Sequence, residues 1–253
     1  MDLGLKGKIA LVTGAGSQKG FGKGIAAVLA AEGCKVIAAD LDIEGANKTA
    51  DEINAQGNFA VALRIDITNS SEVDSAIGKM LKRFGRIDIL VNNAGAIGPI
   101  KHFADKSEEE WDWDINLNLK GAMRCTRAVV KGMIERKSGK IINISSIGVT
   151  KALPNTSVYD AAKAGIVSWT QVLGVELAPF GINVNAVAPG MGLTGFAGGV
   201  PPETVIKDMK ARIPNRRTTT PQDIGNMVAF LASDVSSDVV AQNIGVDGGE
   251  SVT

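Results

Sequence analysis

The chain has 253 residues, of which 45% are hydrophobic, and its 27 basic side chains balance its 27 acidic ones. This length and apolar content allow one large domain with a substantial buried core. Because the charges balance and no basic block occurs, we expect the partner to be a small molecule and neither nucleic acid nor an anionic membrane surface.

Composition also argues against a disulfide-rich, metal-binding or membrane protein. Cys34 and Cys125 are too few and too widely spaced for a disulfide framework, and the single histidine, His102, has no cysteine near it, so no metal is expected. The start of the chain lacks the pattern of a secretion signal, and no segment is apolar over the roughly 18 residues that a membrane helix needs. We therefore expect a cytoplasmic protein in which both cysteines are core residues.

Short apolar runs alternate with longer segments of helical periodicity along the chain. The runs predicted as strands are 8–13, 35–40, 59–66, 87–95, 140–146, 182–190 and 242–249. Helices are predicted over 20–32, 44–56, 71–84, 107–136, 157–179 and 222–232, with capping residues such as Ser70, Ser107 and Pro221. Strands that are apolar throughout are typical of a parallel sheet covered on both faces. The pattern predicts a doubly wound, seven-stranded α/β sheet.

A glycine-rich turn, TGAGSQKGFGKG, follows the first strand at 13–24. The backbone amides of such a turn, with the N-terminus of the next helix, bind a pyrophosphate. Asp40 ends the second strand 18 residues after Gly22 (40 − 22), close to the spacing of a carboxylate that binds the adenosine ribose. A 2′-phosphate would be repelled by this carboxylate, so Asp40 favours NAD over NADP. Lys19 favours NADP instead, because its ammonium could pair with a phosphate. The alternative for Asp40 is a plain turn residue, and the alternative for Lys19 is a solvated side chain.

The only tyrosine of the chain, Tyr159, lies four residues before Lys163. On a helix these two side chains share a face. A nearby ammonium favours the phenolate and lowers the pKa of the phenol from its usual value of about 10. Tyr159 can then exchange a proton with an alcohol or ketone oxygen. The alternative is a packed aromatic ring with its hydroxyl at the surface.

A serine thirteen residues earlier (159 − 146) fits the same chemistry. Ser146 follows a predicted strand at its carboxyl end, where the sites of such sheets gather. Its hydroxyl can hydrogen-bond the reacting oxygen as charge develops there. Because alternation along a strand points Ser145 and Ser146 in opposite directions, only one of them can serve.

Together these motifs resemble the classical short-chain dehydrogenases/reductases. The matching positions are Thr13-Gly14 with Gly20 and Gly22, NNAG at 92–95, Ser146, Tyr159, Lys163 and Pro189-Gly190. The resemblance runs from Gly7 to 246–249. It implies a single Rossmann-type domain over 1–253 with three αβα layers, a nicotinamide cofactor and a homotetramer.

The resemblance also assigns individual roles. Family spacing selects Ser146 over Ser145 and Asn118 over Asn116, and Asn118 would hold a water that relays protons between Lys163 and solvent. The alternative for Asn118 is a polar residue that kinks its helix. The implied cofactor contacts are Gly14, Ser17, Lys19, Gly20, Phe21, Gly22, Asp40, Asp66, Ile67, Asn92, Ala94, Gly95, Tyr159, Lys163, Pro189, Gly190 and Thr194.

One feature departs from the family pattern. Gly14 and Gly20 enclose five residues, whereas the classical turn has three. The longer turn resembles the divergent enoyl-reductase branch of the superfamily, but that branch spaces its tyrosine and lysine more widely than Tyr159 and Lys163. We therefore expect the classical chemistry, with altered phosphate contacts at 17–19.

The substrate is the least defined part of the prediction. The loop at 190–203 is rich in glycine and follows a strand's carboxyl end, so we expect a substrate lid around 190–217, the alternative being an ordinary surface loop. The candidate substrate contacts are Ser146, Ile97, Gly98, Val149, Met191 and Phe196.

Most of these side chains are apolar, which suits a small hydrophobic or alicyclic alcohol or ketone, although core packing explains them equally well. The sequence thus predicts an NAD(H)-dependent oxidoreductase that interconverts a secondary alcohol and a ketone, with NADP(H) not excluded. The alternatives are an NADPH-dependent 3-ketoacyl reductase, an enoyl reductase and a non-catalytic nicotinamide-binding subunit.

Overall fold

A computed structural model describes residues 2–194 and 203–253. Within them, seven strands form one sheet in the order β3-β2-β1-β4-β5-β6-β7, with every neighbouring pair parallel. The strands are β1 (Ile9–Thr13), β2 (Lys35–Asp40), β3 (Phe59–Arg64), β4 (Ile89–Asn92), β5 (Gly139–Ile144), β6 (Ile182–Pro189) and β7 (Asn243–Val246). The predicted seven-stranded parallel sheet is therefore confirmed.

Helices cover both faces of the sheet. They are α1 (Phe21–Ala31), α2 (Ile43–Ala55), α3 (Ser70–Phe84), α4 (Glu108–Ile115), α5 (Gly121–Arg136), α6 (Ser157–Leu177), α7 (Glu203–Arg212) and α8 (Pro221–Ala232). One core cluster joins α1, α2 and α8 to the sheet, and a second joins α3, α5 and α6 to its other face. Successive residues of β1 contribute to opposite clusters, which is why this strand is apolar throughout.

The two cysteines lie in these cores, as the sequence predicts. Cys34 and Cys125 are 2% and 0% exposed and belong to opposite core clusters. Burial raises the pKa of each thiol to about 12. A thiol that stays protonated at neutral pH is a poor nucleophile, so both side chains act as packing residues.

The sheet changes direction at β1. The chain builds β2 and β3 on one side of β1 and then returns to place β4 on the other side. The carboxyl ends of β1 and β4 therefore diverge into helices on opposite faces and leave a crevice, the usual ligand site in open parallel sheets.

Three helical predictions differ from the structure. The helix expected over 107–136 is divided by one π-helical turn at Asn116–Lys120 between α4 and α5. The N-cap of α3 is Asn69, which accepts hydrogen bonds from the amides of residues 71 and 72, whereas Ser70 is the first helical residue. The sequence prediction did not include α7, whose ten residues bury no side chain.

Two other capping predictions are confirmed. Ser107 caps α4 in a capping box with Glu110. Pro221 is the first residue of α8, whose N-cap is Thr220. Within the described residues, no helix is long and apolar enough to cross a membrane.

Candidate active site

The tyrosine and the serine meet at the carboxyl end of β5. Tyr159, in the first turn of α6, is 8% exposed and is hydrogen-bonded to Ser146. The Ser146 hydroxyl also accepts a hydrogen bond from Gly148 N at 3.0 Å. Ser145 points the other way, donating to Val187 O at 3.1 Å and to Asn243 Oδ1 at 2.7 Å. Ser146 therefore faces the tyrosine and Ser145 does not, while the catalytic role of Ser146 stays a prediction.

The lysine lies below the tyrosine ring on the same face of α6. Lys163 Nζ is 5.7 Å from the centre of the Tyr159 ring and donates to Ile144 O at 2.9 Å. The side chain is buried, and burial lowers the pKa of the ammonium to about 8. Lys163 can therefore exchange its proton near neutral pH, which an exposed lysine cannot do.

The π-helical turn carries Asn118 into the same site. Its Oδ1 accepts from Ala96 N at 3.2 Å, and its Nδ2 donates to Ala96 O at 2.8 Å and to Asp114 O at 3.0 Å. Asn116 faces away and accepts from Arg124 at 2.7 Å. Asn118 therefore lies in an irregular helical turn, as the alternative interpretation expects, and that turn directs its amide to the site; the water relay stays a prediction.

Gly95 is the point where Asn118 and Lys163 converge. A Cβ atom on Gly95 would lie 2.7 Å from Asn118 Oδ1 and 3.4 Å from Lys163 Nζ. The first distance is shorter than any normal contact, so only glycine lets the backbone pass this close. The segment after β4 thus closes over both polar groups.

The electrostatics of Tyr159 correct the sequence prediction. Burial raises the pKa of its phenol, the hydrogen bond with Ser146 opposes that rise, and the carboxylates of Asp160 and Asp114 add to it. The expected lowering by Lys163 does not prevail, because the ammonium is itself buried and directed at the Ile144 carbonyl. In the chain alone Tyr159 is therefore a neutral phenol, the form that donates a proton.

The glycine-rich turn is bound to the segment after β4. Gly14 has φ +70°, and a Cβ atom there would lie 2.7 Å from Ala94 Cα. Asn93 Nδ2 donates to Thr13 O at 2.8 Å and to Gly14 O at 3.2 Å. A Cβ atom on Gly22 would overlap the Gly14 carbonyl. The glycines therefore allow three backbone segments to pack into one cradle.

This crowding predicts a large effect for Gly22→Ala. The overlap is with backbone atoms, which cannot rotate away, so we expect a loss of about 1–3 kcal/mol in the free energy of unfolding. Gly78→Ala in α3 is the matched control, because a Cβ atom there meets nothing within 4 Å, and alanine should stabilise that helix by about 0.5–1 kcal/mol. Urea denaturation measures both; equal stabilities of the two variants would contradict the described cradle.

Asp40 lies directly against this turn. Its Oδ2 accepts from Gly16 N at 2.7 Å, and its Oδ1 accepts from Asp42 N at 3.0 Å. The carboxylate therefore anchors the turn as well as ending β2, and its contact with a cofactor ribose stays a prediction. Lys19 and Ser17 are exposed.

The longer turn folds onto α2. Gln18 Nε2 donates to Gly16 O at 2.8 Å and to Gly45 O at 3.0 Å, and its Oε1 accepts from Lys23 at 2.8 Å. The extra length is thus bound to the protein itself, a role for Gln18 that the sequence did not reveal.

The side chain of Asn92, a predicted cofactor contact, points into the core. Its Nδ2 donates to Thr126 Oγ1 at 3.0 Å and to Asn143 Oδ1 at 2.8 Å, so the side chain is committed to the core. Asn93 is the asparagine that meets the glycine-rich turn. The sequence could not separate them, because both belong to the same NNAG motif and the direction of each depends on where β4 ends.

The remaining predicted contacts lie around the crevice with different surroundings. Asp66 Oδ1 accepts from Thr68 N at 2.8 Å, so part of this carboxylate holds a turn, and Ile67 beside it is buried. Pro189 and Gly190 are buried at the end of β6, and Thr194 is the last described residue before 195–202. Phe196 lies outside the described residues.

The start of the predicted lid touches the glycine-rich turn. A Cβ atom on Gly192 would lie 2.6 Å from the ring of Phe21. Met191 N donates to Glu250 Oε2 at 3.2 Å, and Met191 O accepts from Thr219 N at 2.9 Å. The segment after β6 is therefore fixed at its beginning by Thr219 and Glu250.

The cradle fits the pyrophosphate of a dinucleotide. Gly20 is the N-cap of α1 and brings no side chain to its N-terminus, and the first turn of α1 has no acidic residue. Free backbone amides and the helix dipole are what a pyrophosphate requires. Among the described residues, no three His, Cys, Asp or Glu side chains cluster as metal ligands would.

Known proteins match this chain along almost its whole length. The family model described as Enoyl-(Acyl carrier protein) reductase matches residues 14–251. Oxidoreductase UcpA of Salmonella typhimurium is 40% identical over 256 residues, covering 98% of this chain and 96% of that protein. The 3-oxoacyl-(acyl-carrier-protein) reductase FabG of Thermotoga maritima is 38% identical over 245 residues, covering 97% of this chain and 98% of that protein.

The same relationship appears among solved structures. A crystal structure of actinorhodin polyketide ketoreductase with NADPH has a TM-score of 0.92 and 35% identity, covering 98% of both chains. The chain belongs to the classical short-chain dehydrogenase/reductase family of oxidoreductases.

Proposed function

We propose that this protein interconverts a secondary alcohol and a ketone by hydride transfer with NAD(H). The observation that carries the proposal is the convergence of Tyr159, Ser146, Lys163 and Asn118 beside the glycine-rich cradle. A binding module needs the cradle alone, whereas the buried lysine and the serine-tyrosine pair are groups that move protons.

The four residues divide the proton chemistry among them. A bound nicotinamide supplies or accepts the hydride at carbon. In ketone reduction, the Ser146 and Tyr159 hydroxyls hold the carbonyl oxygen, and Tyr159 donates its proton as negative charge develops there. Lys163 returns a proton to the tyrosine, and Asn118 holds the water that links Lys163 to solvent. Burial raises the pKa of Tyr159, so the phenol keeps its proton at neutral pH, the form that ketone reduction uses.

The preference for NAD(H) rests on Asp40. Its carboxylate lies at the glycine-rich turn and accepts from Gly16 N, so a 2′-phosphate placed there would face a like charge, which costs several kcal/mol. Lys19 is exposed and opposes this preference only if it turns toward the phosphate.

Asp40→Asn tests this preference. The variant removes the charge but keeps an oxygen that can accept from Gly16 N, so we expect NADPH affinity to rise at least about tenfold relative to NADH. Asp51→Asn is the matched control, because Asp51 is exposed on α2. Fluorescence titration with both cofactors gives the ratio; an unchanged ratio in Asp40→Asn would remove this residue from cofactor choice.

The substrate is a small hydrophobic or alicyclic ketone or alcohol in this proposal. Ile97, Gly98, Val149 and Met191 lie half-buried at the carboxyl ends of β4, β5 and β6, and their mostly apolar surfaces suit such a molecule. We propose the segment 190–217 as the lid of this pocket, within one domain over the whole chain.

A second candidate function is NADPH-dependent 3-ketoacyl reduction. The FabG relative and the NADPH-bound ketoreductase favour it, whereas Asp40 opposes the cofactor. Enoyl reduction is favoured only by the description of the family model and by the long turn.

One assay separates these functions. The native protein is mixed with NADH or NADPH and a panel of cyclic ketones, 3-ketoacyl thioesters and enoyl thioesters, and the loss of reduced-nicotinamide absorbance is followed. We expect the fastest loss with NADH and cyclic ketones. Faster oxidation of NADPH by 3-ketoacyl thioesters would support the second candidate, and binding without turnover would support a non-catalytic subunit.

The assembly proposed from the family resemblance is a cytoplasmic homotetramer. Val172 and Val175 on α6 are 56% and 69% exposed, and Phe180 follows them at 39%. Exposed apolar side chains that lie together on a helix and the turn after it are typical of a subunit contact. Light scattering counts the copies in solution.

A further inference from the structure

A buried ion pair lies beside the candidate active site, outside the four residues assigned to catalysis. The side chains of Asp114 in α4 and Lys106 in the preceding loop are 1% and 2% exposed, and Lys106 Nζ lies 3.9 Å from Asp114 Oδ2. Taking two charges out of water is expensive, so such a pair often adds no net stability compared with apolar residues. Its presence here needs a further reason.

Both partners bind the backbone that follows β4. Asp114 Oδ1 accepts from Gly98 N at 3.1 Å, and Lys106 Nζ donates to Pro99 O at 2.7 Å. Asn118, one turn further along, binds both the N–H and the carbonyl of Ala96. The segment 96–99 is therefore fixed at three points by buried polar side chains, two of which come from the ion pair.

Asp114 also contacts the catalytic candidates more directly. Its backbone carbonyl accepts from Asn118 Nδ2 at 3.0 Å. Its second carboxylate oxygen is buried and has no hydrogen-bond partner among the described residues, while a Cβ atom on Gly98 would lie 3.0 Å from that oxygen. The carboxylate thus lies in close contact with Gly98, one of the residues of the proposed substrate pocket.

We propose that the Asp114–Lys106 pair holds the 96–99 segment, and through the Ala96 backbone the Asn118 amide, in the geometry that proton transfer requires. Both are positioning residues, because neither is placed to touch the reacting atoms. The proposal rests on the proposed function for its effect on turnover, but its structural part, the fixing of 96–99, is independent of any reaction. Without the hydrogen bonds from Asp114 and Lys106, the 96–99 segment can shift. A misplacement of about 1 Å can lower the rate roughly a hundredfold.

Asp114→Ala removes the acceptor of Gly98 N as well as the charge. We expect kcat to fall at least about tenfold while the dissociation constant of NADH changes less than about twofold. Amide hydrogen exchange of 96–99 should become faster, because Gly98 N–H loses its bond. Asp112→Ala is the matched control, since Asp112 is exposed on the same helix, and it should leave the rate and the exchange unchanged.

Asp114→Asn distinguishes positioning from general stability. The amide keeps an oxygen that can accept from Gly98 N, so we expect this variant to regain most of the turnover and the slow exchange that Asp114→Ala loses. Lys106→Met, which removes the bond to Pro99 O, should again speed exchange at 96–99.

The outcomes that overturn the proposal are specific. A folded Asp114→Ala variant with native kcat and native exchange at 96–99 would overturn it. If Asp114→Ala does not fold, the Lys106→Met variant decides: native amide exchange at 96–99 in that variant would overturn the proposal. If the native protein reduces no ketone, the proposed function fails, but the exchange measurement still decides whether the pair fixes this segment.

Discussion

Replacing Tyr159 with phenylalanine is expected to lower kcat for ketone reduction by at least about a hundredfold. The hydroxyl is the proposed proton donor, and it is also the group that Ser146 binds. The ring remains, so the buried packing of this side chain is kept and the dissociation constant of NADH should stay within about twofold of native. Single-turnover absorbance and fluorescence titration measure the two quantities separately.

The control for this variant is Ser157→Ala. It removes a hydroxyl from the first turn of the same helix, but Ser157 is exposed, so both kcat and NADH affinity should be native. A Tyr159→Phe protein that keeps native turnover would show that another group donates the proton.

Replacing Lys163 with methionine is expected to have an effect of similar size. Methionine fills the buried space but removes the ammonium and its bond to Ile144 O, so Tyr159 loses its proton supply and kcat should fall by about a hundredfold or more. Lys140→Met is the matched control, because Lys140 is also buried, donating to Asn183 Oδ1 at 2.8 Å, but it lies at the opposite end of β5.

The pKa of Lys163 predicts how the rate of ketone reduction depends on pH. Burial lowers the pKa of Lys163 to about 8, so the protonated lysine is present below that pH and is lost as the pH rises through it. Ketone reduction by the native protein should therefore decline above about pH 8, and the residual activity of Lys163→Met should show no such transition. A transition that persists unchanged in Lys163→Met would assign it to a different group.

The sequence was sufficient for the fold because the strands and helices are strongly patterned. A strand such as β1 contributes to two cores and is apolar throughout, which reveals a sheet covered on both faces. For the serine, alternation indicated that only one of Ser145 and Ser146 can face the tyrosine, and the family resemblance selected Ser146. These features depend on local periodicity, which sequence contains directly.

Features that depend on tertiary environment were not predictable in the same way. Asp114 looks like any helical carboxylate, and only the fold shows that it is buried against Gly98 and Lys106. The raised pKa of Tyr159 likewise depends on burial. The effect of burial exceeds the lowering of the pKa that we expected from Lys163, four residues along the helix. The π-helical turn that contains Asn118 directs its side-chain amide to the Ala96 backbone, and helical periodicity alone does not reveal such an irregularity.

The destination of the hydride is the most direct test of the proposed chemistry. The native protein is given an α,β-unsaturated cyclic ketone with NADH that carries deuterium at the transferable position, and the product is examined by NMR. We predict an allylic alcohol with deuterium on the former carbonyl carbon, because Tyr159 and Ser146 are placed to hold the oxygen of the group being reduced. A saturated ketone with deuterium on the β-carbon would contradict the proposal and identify the protein as a reducer of carbon–carbon double bonds.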